Sequence, residues 1–442
     1  MFLYRIVMLY YLDPFGCVKN QVDAETMMAF LERAGWRSAD RPEEADCILI
    51  NSCGFIQSAK QESINAVLSY RKQFPAKKIV LAGCLAQRYA AELTASLPEA
   101  DLLFTSPDLS ALPTALQSLT AAQPDNQPPP CTSLPAGERP LLSVPGSAYV
   151  KISEGCNNRC SFCAIPLIRG PLRSRSVEAI TDECQVLLER GIRELCIIGQ
   201  DIGSYGMDWG ETALPRLLRT ISGFKGDFWI RLLYLHPDNF PLSLLDTVRN
   251  DSRFLPYFDI PFQHGSDTVL RAMNRQRTVA SYYALLDHIR SALPDAVIRS
   301  TFLIGFPGET AADFQLLLRF QEQAALDWVG SFIYSREEGT AAYSFKPQVS
   351  QRIAAARKAL LEERQISLTE RRMDRFVGRS VTALVEACID AAAGLYLGRL
   401  FCQAPEVDGA AVIKSTKALS LGNFVQGTVK SRAAFDLEVL VR

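Results

Sequence analysis

The spacing of hydrophobic and polar residues changes along the chain and indicates three regions. In the first, short apolar runs alternate with segments whose apolar residues recur at helical spacing. The predicted strands span residues 2–11, 46–50 and 78–82, and the predicted helices span 21–34, 59–73 and 87–97. Short buried strands that alternate with helices indicate a parallel sheet covered by helices, so the first fold class is an α/β domain.

The central region repeats the same alternation over about 190 residues. Its six predicted strands span residues 149–153, 194–200, 228–235, 257–263, 297–305 and 328–335, with helical spacing between them, as in 177–190 and 310–325. Six strand–helix units are fewer than the eight of a complete (β/α)8 barrel. The pattern therefore predicts a partial (β/α)6 barrel.

The last region is different, because a charged helix at 351–375 is followed by short runs separated by glycine. These runs span residues 381–386, 395–400, 411–413, 424–429 and 435–441. Five short strands in so few residues predict a small all-β barrel of the OB type. Seven prolines between Ala121 and Pro145 indicate a stiff linker, in which Cys131 is expected to have no role. The predicted domains are 1–120, 142–374 and 375–442, joined by a linker at 121–141.

Composition and charge narrow the classes of function. The 442 residues have a net charge of −1, which argues against a surface that binds nucleic acid throughout. The apolar start, 2–12, contains Arg5 and is too short to span a bilayer, so neither a signal peptide nor a membrane anchor is expected. Twelve cysteines in a long chain of this kind favour a cytoplasmic protein with reduced thiols over a disulfide-linked one.

Three cysteines lie within eight residues directly after the first central strand. Cys156, Cys160 and Cys163 are separated by three and then two residues. Thiolates are soft ligands that suit zinc or iron–sulfur clusters, but structural zinc takes four ligands. The next cysteines, Cys184 and Cys196, lie within apolar segments, so three ligands without a fourth indicate a cluster with one open iron. A chance group of unliganded thiols is the alternative.

Three further cysteines are dispersed through the first region, each just after a predicted strand. Cys17, Cys53 and Cys84 would therefore meet at the carboxyl edge of the sheet, where open α/β sheets bind ligands. From spacing alone, a second cluster site and three packed thiols both remain open. Cys47 lies within a strand and is expected to be a buried hydrophobe.

These motifs resemble those of the methylthiotransferase family of radical S-adenosylmethionine (SAM) enzymes. Cys156–Cys163, including Phe162, resembles the radical SAM signature; residues 16–23, 51–55 and 82–88 resemble the three cysteine motifs of the family's N-terminal domain; and 376–442 resembles its TRAM domain. The residues before Cys17 depart from the family pattern. The resemblance implies two [4Fe-4S] clusters, one on Cys156, Cys160 and Cys163 and one on Cys17, Cys53 and Cys84, with SAM on the first cluster and Phe162 beside its adenine.

Polar groups at the ends of barrel strands are further candidates, because barrel sites form at the carboxyl face. SAM contacts are expected from Gln200, Thr301, Gly305 and Tyr334, and substrate contacts from Arg231 and Gln263. Glu406 and Asp408 are also expected to contact substrate, because their acidic loop in the small terminal barrel would suit a basic protein. The turn at 304–310 resembles the SAM-contacting turn of the family, although helix capping explains Glu309 and Thr310 equally well. The basic run 169–175 either steers an anion or is a solvated face. No catalytic residue is expected beyond the cluster ligands.

Two branches of the family differ in substrate. One modifies an adenosine beside the tRNA anticodon, and the other, the RimO type, methylthiolates the β-carbon of an aspartate in ribosomal protein S-twelve. Residues 163–175, 257–264 and 404–409 look like the second branch. Residues 376–442 carry seven basic and six acidic side chains, a poor phosphate-binding surface. The resemblance implies a deoxyadenosyl radical that removes hydrogen, a second cluster that supplies sulfur, and an electron donor such as flavodoxin or ferredoxin. A non-enzymatic iron–sulfur redox or scaffold protein is the alternative of another class.

Overall fold

The computed structural model describes residues 7–119, 134 and 137–441. They form two compact units. The first comprises the chain up to Leu142 together with Ala164–Pro171, and the second comprises Ser143–Cys163 and the chain from Leu172 onward. Most of the predicted linker, including Cys131, lies outside the described residues. No helix in the described ranges is long and apolar enough to cross a membrane.

The first unit contains a five-stranded parallel sheet in the order β2-β1-β3-β4-β5. Its strands are β1 (Leu9–Pro14), β2 (Arg37–Ser38), β3 (Cys47–Ser52), β4 (Lys78–Gly83) and β5 (Leu102–Leu103). Its helices are α1 (Val18–Arg33), α2 (Gln57–Gln73), α3 (Cys84–Arg88), α4 (Ala90–Ser96), α5 (Leu112–Gln117) and α6 (Ile165–Arg169). Successive residues of β3 point to opposite faces, so Ile48 and Leu49 enter separate cores.

The second unit contains a six-stranded parallel sheet whose order follows the chain, β6-β9-β10-β11-β12-β13. Its strands are β6 (Ser147–Lys151), β9 (Glu194–Ile198), β10 (Trp229–Leu232), β11 (Phe254–Asp259), β12 (Val297–Ile304) and β13 (Trp328–Ile333); a two-stranded ribbon adds β7 (Ser153–Glu154) and β8 (Arg173–Ser174). The helices between the strands are α7 (Val177–Glu189), α8 (Leu214–Ser222), α9 (Ser243–Asn250), α10 (Asp267–Ala272), α11 (Val279–Ala292) and α12 (Ala311–Ala324). This open, sequential sheet agrees with the predicted partial barrel.

A long helix and a closed five-stranded barrel complete the second unit. They are α13 (Gln351–Asp374), β14 (Ser380–Asp390), β15 (Leu395–Leu400), β16 (Ala411–Ser415), β17 (Phe424–Ala433) and β18 (Asp436–Val441). The barrel order is β14-β15-β16-β18-β17. The three fold classes expected from the sequence are thus confirmed.

Buried charges join the small barrel to the amino-terminal end of the parallel sheet. Arg399 of β15 pairs with Glu194, the first residue of β9, at 2.5 Å, and both side chains are almost completely buried. Arg399 also donates to the Ser147 hydroxyl, at the start of β6, over 2.9 Å. The indole of Trp328, at the start of β13, donates to the Cys402 carbonyl. The small barrel therefore covers the end of the sheet opposite to its carboxyl edge.

Two predicted elements differ from the structure. The first strand spans Leu9–Pro14 rather than 2–11, and residues 2–6 of that prediction lie outside the described residues. The predicted helix 87–97 is two helices, because Tyr89 has an extended φ of −123° that interrupts the helical turn. As a result Cys84 is the first residue of a short helix rather than part of a loop.

Candidate iron–sulfur and SAM site

The loop of Cys156–Cys163 follows the carboxyl end of β6 and is clamped by backbone hydrogen bonds. The Ser161 amide donates to the Met273 carbonyl over 3.1 Å, and the Ser161 hydroxyl donates to the Ala272 carbonyl over 2.7 Å. The Ala342 amide donates to the Ser161 carbonyl over 2.8 Å. Two separate segments thus hydrogen-bond the loop at Ser161, between the second and third cysteines.

Asp201, just after β9, ties this loop to the neighbouring strand ends. Its carboxylate accepts from the Asn158 amide at 2.9 Å, the Asn239 amide at 2.7 Å and the Ser204 hydroxyl at 2.6 Å. It also accepts the His236 backbone N–H at 3.2 Å. Since Asp201 is only 3% exposed, these bonds are formed away from water and rigidify the loop. Asp201 directly follows Gln200, a predicted SAM contact, but its role in fixing the loop was not predicted.

The three thiols of the loop form no disulfide and are partly accessible. Burial raises the pKa of Cys156 to about 11, so its thiolate needs a bound cation for stabilisation at neutral pH. His236 Nε2 lies 3.8 Å from Cys160 Sγ. Within the described ranges no three or more His, Cys, Asp and Glu side chains are arranged to hold one metal ion.

Beside this loop lies an apolar surface with unsatisfied polar groups. Phe162 packs with Val269, Met273, Phe306 and Tyr334. The buried Tyr334 hydroxyl has no hydrogen-bond partner among the described residues. An apolar surface with a few polar groups is typical of a small-molecule site.

Two more unsatisfied polar atoms lie at the carboxyl ends of β6 and β9. The Gln200 carbonyl oxygen and the Ser153 hydroxyl are buried without a partner among the described residues. A Cβ on Gly199 would lie 2.8 Å from the Ser153 oxygen, so glycine leaves that hydroxyl its space. Ser153 was not predicted, although its position at the end of the first barrel strand could have indicated it.

The turn after β12 is held by a buried acid. The Gly305 amide donates to Glu309 Oε2 over 2.7 Å, and Arg357 pairs with the other carboxylate oxygen at 2.6 Å. Gly305 has φ of +75°, a conformation that disfavours other residues. Thr301 is half-buried on β12, and Gln263, with φ of +69°, forms a bridge to the same strand. These residues lie toward the carboxyl half of the sheet, where SAM or substrate contacts were expected.

The dispersed cysteines of the first unit converge, and Asn20 is the residue that joins their loops. Cys17 precedes α1, Cys53 follows β3 and Cys84 begins α3. The Asn20 amide donates to the carbonyls of Phe15 at 2.6 Å and of Asn51 and Ser52 at 3.2 Å each; the Cys84 thiol lies 3.7 Å from its oxygen. Asn20 is 1% exposed. One buried side chain therefore contacts all three cysteine loops, a role that sequence reasoning missed.

Glycines let these loops approach each other. A Cβ on Gly16 would lie 3.2 Å from Cys53 Cβ, and one on Gly54 would lie 2.8 Å from the Cys84 backbone. The second distance is too short for any side chain, so residue 54 must be glycine for the loops to meet. A glycine stands beside two of the cysteines, in Gly16-Cys17 and Cys53-Gly54. This pairing was the sequence signal that could have indicated the close approach of the loops.

Arg169 lies against one of these thiols, that of Cys84. Its guanidinium donates to Cys84 Sγ over 3.0 Å and to Asn20 Oδ1 over 3.0 Å, and it pairs with Asp23 at 2.5 Å. The side chain of Arg169 is only 8% exposed. Burial raises the pKa of Cys84 to about 11, and the Arg169 charge opposes this rise. For Arg169, the expectation of a solvated basic face was therefore wrong.

Two predicted substrate contacts are structural instead. Arg231 is fully buried, pairs with Glu194 at 2.7 Å and donates to the Phe401 carbonyl over 2.9 Å. The Asp408 side chain is also buried, pairing with Arg299 at 2.5 Å and accepting the Tyr257 hydroxyl at 2.6 Å. Neither side chain is available to a partner, because both link the small barrel to the parallel sheet. Their positions in sequence motifs could not show this burial.

Glu406 is the acid of the loop 404–409 that remains exposed. It has φ of +65°, so the loop turns sharply at this residue. The loop lies against the amino-terminal end of the sheet, whereas the loop of Cys156–Cys163 follows the carboxyl end. Glu406 therefore belongs to the small barrel and not to the lining of the candidate SAM site.

A parallel sheet with a C-x3-C-x2-C loop after its first strand defines the radical SAM class, and family comparisons agree. Residues 150–320 match the Radical SAM superfamily and residues 377–441 match the TRAM domain. Residues 9–105 match the family described as Uncharacterized protein family UPF0004. Enzymes of the radical SAM class use SAM and an iron–sulfur cluster, so both are implied for this chain.

Similar proteins identify the family within that class. The chain is 44% identical to ribosomal protein uS12 methylthiotransferase RimO of Treponema denticola, covering 97% of this chain and 100% of the relative. It is 38% identical to the protein of that name from Thermotoga maritima, over 96% of this chain and 97% of the relative. The chain belongs to the RimO family of methylthiotransferases.

Solved structures share the fold at low identity. The radical SAM methyltransferase TsrM from Kitasatospora setae, with cobalamin and a [4Fe-4S] cluster bound, has a TM-score of 0.56 at 13% identity, covering 76% of this chain and 73% of that chain. The cobalamin-dependent radical enzyme OxsB, in its apo form, has a TM-score of 0.51 at 12% identity, covering 85% of this chain and 62% of that chain. These likenesses concern the fold alone.

Proposed function

We propose that this chain methylthiolates the β-carbon of an aspartate of ribosomal protein uS12, the S-twelve protein of the small ribosomal subunit. The observation that carries the proposal is the presence of two sets of three thiols that form no disulfide in one chain of the RimO family. One set lies in a clamped loop at the carboxyl edge of a parallel sheet. The other is brought together by Asn20.

The residues present fit two [4Fe-4S] clusters. Cys156, Cys160 and Cys163 would hold one cluster and Cys17, Cys53 and Cys84 the other, each with three thiolates and one open iron. When bound, the clusters and SAM supply a radical able to remove hydrogen from an unactivated carbon, together with the methylthio group. The chain's own part is to hold the thiolates close to one another.

The residues near the first thiol set would orient SAM. Phe162 and its apolar neighbours offer a surface for a flat base. The buried polar atoms of Gln200 and Tyr334 that lack partners among the described residues would bond polar groups of the ligand. Thr301 and Gly305 belong to the same half of the sheet and are proposed as further contacts. Gln263 and Glu406 remain weak candidates for substrate contact.

Cysteine variants test the division between the two sites. Replacing Cys160 by alanine is expected to abolish cleavage of SAM to deoxyadenosine. Replacing Cys53 is expected to preserve that cleavage but prevent methylthio-aspartate formation. The measurement is chromatography of deoxyadenosine together with mass spectrometry of uS12, using protein reconstituted with iron and sulfide. If the Cys53 variant still forms methylthio-aspartate, the second cluster has no role in sulfur insertion.

The substrate class is tested by offering uS12 and tRNA in one reaction. Methylthiolated uS12 with unmodified tRNA supports the proposal. Product on tRNA alone would show that the substrate is an adenosine of tRNA. The absence of deoxyadenosine would indicate a redox or scaffold protein. Because an electron must reach the first cluster, we propose a flavodoxin or ferredoxin as donor. Replacement of dithionite by each purified donor in the same reaction tests this.

A further inference from the structure

In the first unit, the Arg169 guanidinium bonds the thiol of Cys84, one of the three cysteines whose loops Asn20 joins. The segment Ala164–Pro171 leaves the fold of the second unit and packs into the first, where Ala164 and Ile168 contact Cys84. This packing places the Arg169 guanidinium 3.0 Å from Cys84 Sγ.

The guanidinium is fixed in this position by two neighbours on α1. Asp23 pairs with it at 2.5 Å, with side-chain exposures of 8% for Arg169 and 10% for Asp23. The Asn20 oxygen accepts a second N–H at 3.0 Å, and its amide orientation is set by the backbone carbonyls that it bonds. A planar guanidinium with several N–H groups can bond a carboxylate, an amide and a sulfur together, which an ammonium does less well.

The charges explain why a cation is needed here. Three thiolates bring three negative charges into a partly buried site, and Cys84 itself is 7% exposed. Hydrogen bonds to cluster sulfurs and nearby charge also set reduction potentials.

We propose that Arg169 is a positioning residue for the cluster on Cys17, Cys53 and Cys84, which it stabilises and makes easier to reduce through its N–H bond to Cys84 Sγ. Asp23 and Asn20 orient the guanidinium. The inference rests on the proposed function, because it assumes that these three thiols hold a cluster. Arg169 follows the Cys156–Cys163 motif in sequence, but its role is at the sulfur-supplying site of Cys17, Cys53 and Cys84.

The test uses the full chain with Cys156, Cys160 and Cys163 replaced by alanine, so that iron reports on the first unit. Arg169→Gln removes the charge, and Arg169→Lys restores the charge with fewer N–H donors. Arg71→Gln is the matched control, since Arg71 also pairs with an aspartate, Asp101, at 2.5 Å in the same unit. After reconstitution, iron per chain, resistance to a chelator and the midpoint potential by EPR-monitored titration are measured.

Arg169→Gln is expected to release iron at a roughly tenfold lower chelator concentration, because the variant loses the guanidinium that hydrogen-bonds a metal ligand. Its midpoint potential is expected to be more negative than that of the parent. Arg169→Lys should recover part of both effects, and Arg71→Gln should match the parent. Equal losses in Arg169→Gln and Arg71→Gln, or no change in either, would overturn the inference. If the parent itself binds no iron, the second-cluster proposal fails instead.

Discussion

Replacing Asn20 by alanine removes the side chain that joins the three cysteine loops of the first unit. The Asn20 amide has two N–H groups, which it shares among the carbonyls of Phe15, Asn51 and Ser52. Alanine keeps the helical backbone of α1 but leaves these carbonyls without that donor. The substitution therefore removes hydrogen bonds that hold the three loops together and leaves the cysteines themselves unchanged.

The expected cost follows from burial. Each lost hydrogen bond costs about 0.5–1.5 kcal/mol, and a buried carbonyl left unpaired adds about 1–3 kcal/mol where water cannot replace the donor. For two N–H groups at a residue that is 1% exposed, we expect a local loss of about 3 kcal/mol. Since about 1.4 kcal/mol is a factor of ten, amide exchange in these loops should accelerate roughly 100-fold.

The assay is hydrogen exchange read by mass spectrometry on peptides that cover 12–20 and 50–58, together with iron per chain after reconstitution. The Phe15 amide, which donates to the Asn51 carbonyl, is a direct reporter. Asn65→Ala is the control, because Asn65 bonds Gln61 on the exposed face of α2. Its effect is expected to stay within about 0.5 kcal/mol. Exchange and iron binding unchanged in the Asn20 variant would refute the role of Asn20 as the junction.

Three other expectations follow from buried groups. Glu194→Gln removes the buried carboxylate that pairs with both Arg399 and Arg231, although Arg399 keeps its second pair with Glu386. It should lower the free energy of unfolding by about 3–5 kcal/mol, read by urea denaturation. Although burial favours the neutral acid, Arg399 helps hold the pKa of Glu194 at about 2, so the contribution of these pairs persists above the unfolded pKa of about 4.3 and is lost as pH falls toward 2. Gly54→Ala places a Cβ 2.8 Å from the Cys84 backbone and should reduce iron bound by the first unit, with iron equal to the parent's contradicting the close approach. Gln200→Ala should weaken SAM binding about tenfold in equilibrium dialysis of reconstituted protein, and unchanged affinity would remove Gln200 from the site.

Several features could be predicted from sequence because they depend on local periodicity. The six central strands and the five strands of the small barrel were expected within a few residues of their positions, since alternating or continuous apolar runs show which residues enter a core. The spacing of Cys156, Cys160 and Cys163 is enough by itself to indicate three cluster ligands without a fourth. The assignment of six cysteines to two clusters remains a prediction, although the structure gathers Cys17, Cys53 and Cys84 around Asn20.

Other features depend on which distant residues meet. Asp408 in an acidic stretch and Arg231 at a strand suggested exposed charges, but the folded chain pairs each with an opposite charge in its interior. Arg169 in a basic run suggested a solvated face, yet its segment packs into the first unit against Cys84. Burial of a charge is decided by its partner, and that partner can be more than a hundred residues away.

The sequence alone therefore determined the fold classes and the family and predicted the cluster ligands, because periodicity and cysteine spacing are properties of short stretches. Only the tertiary structure decided that Asn20 joins three loops, that Arg169 faces a thiol, and that two predicted contact residues are internal. The physical reason is that a hydrogen bond or ion pair needs two groups within a few ångströms. Residues such as Asn20 and Cys84 reach that distance only through the packing of the whole sheet.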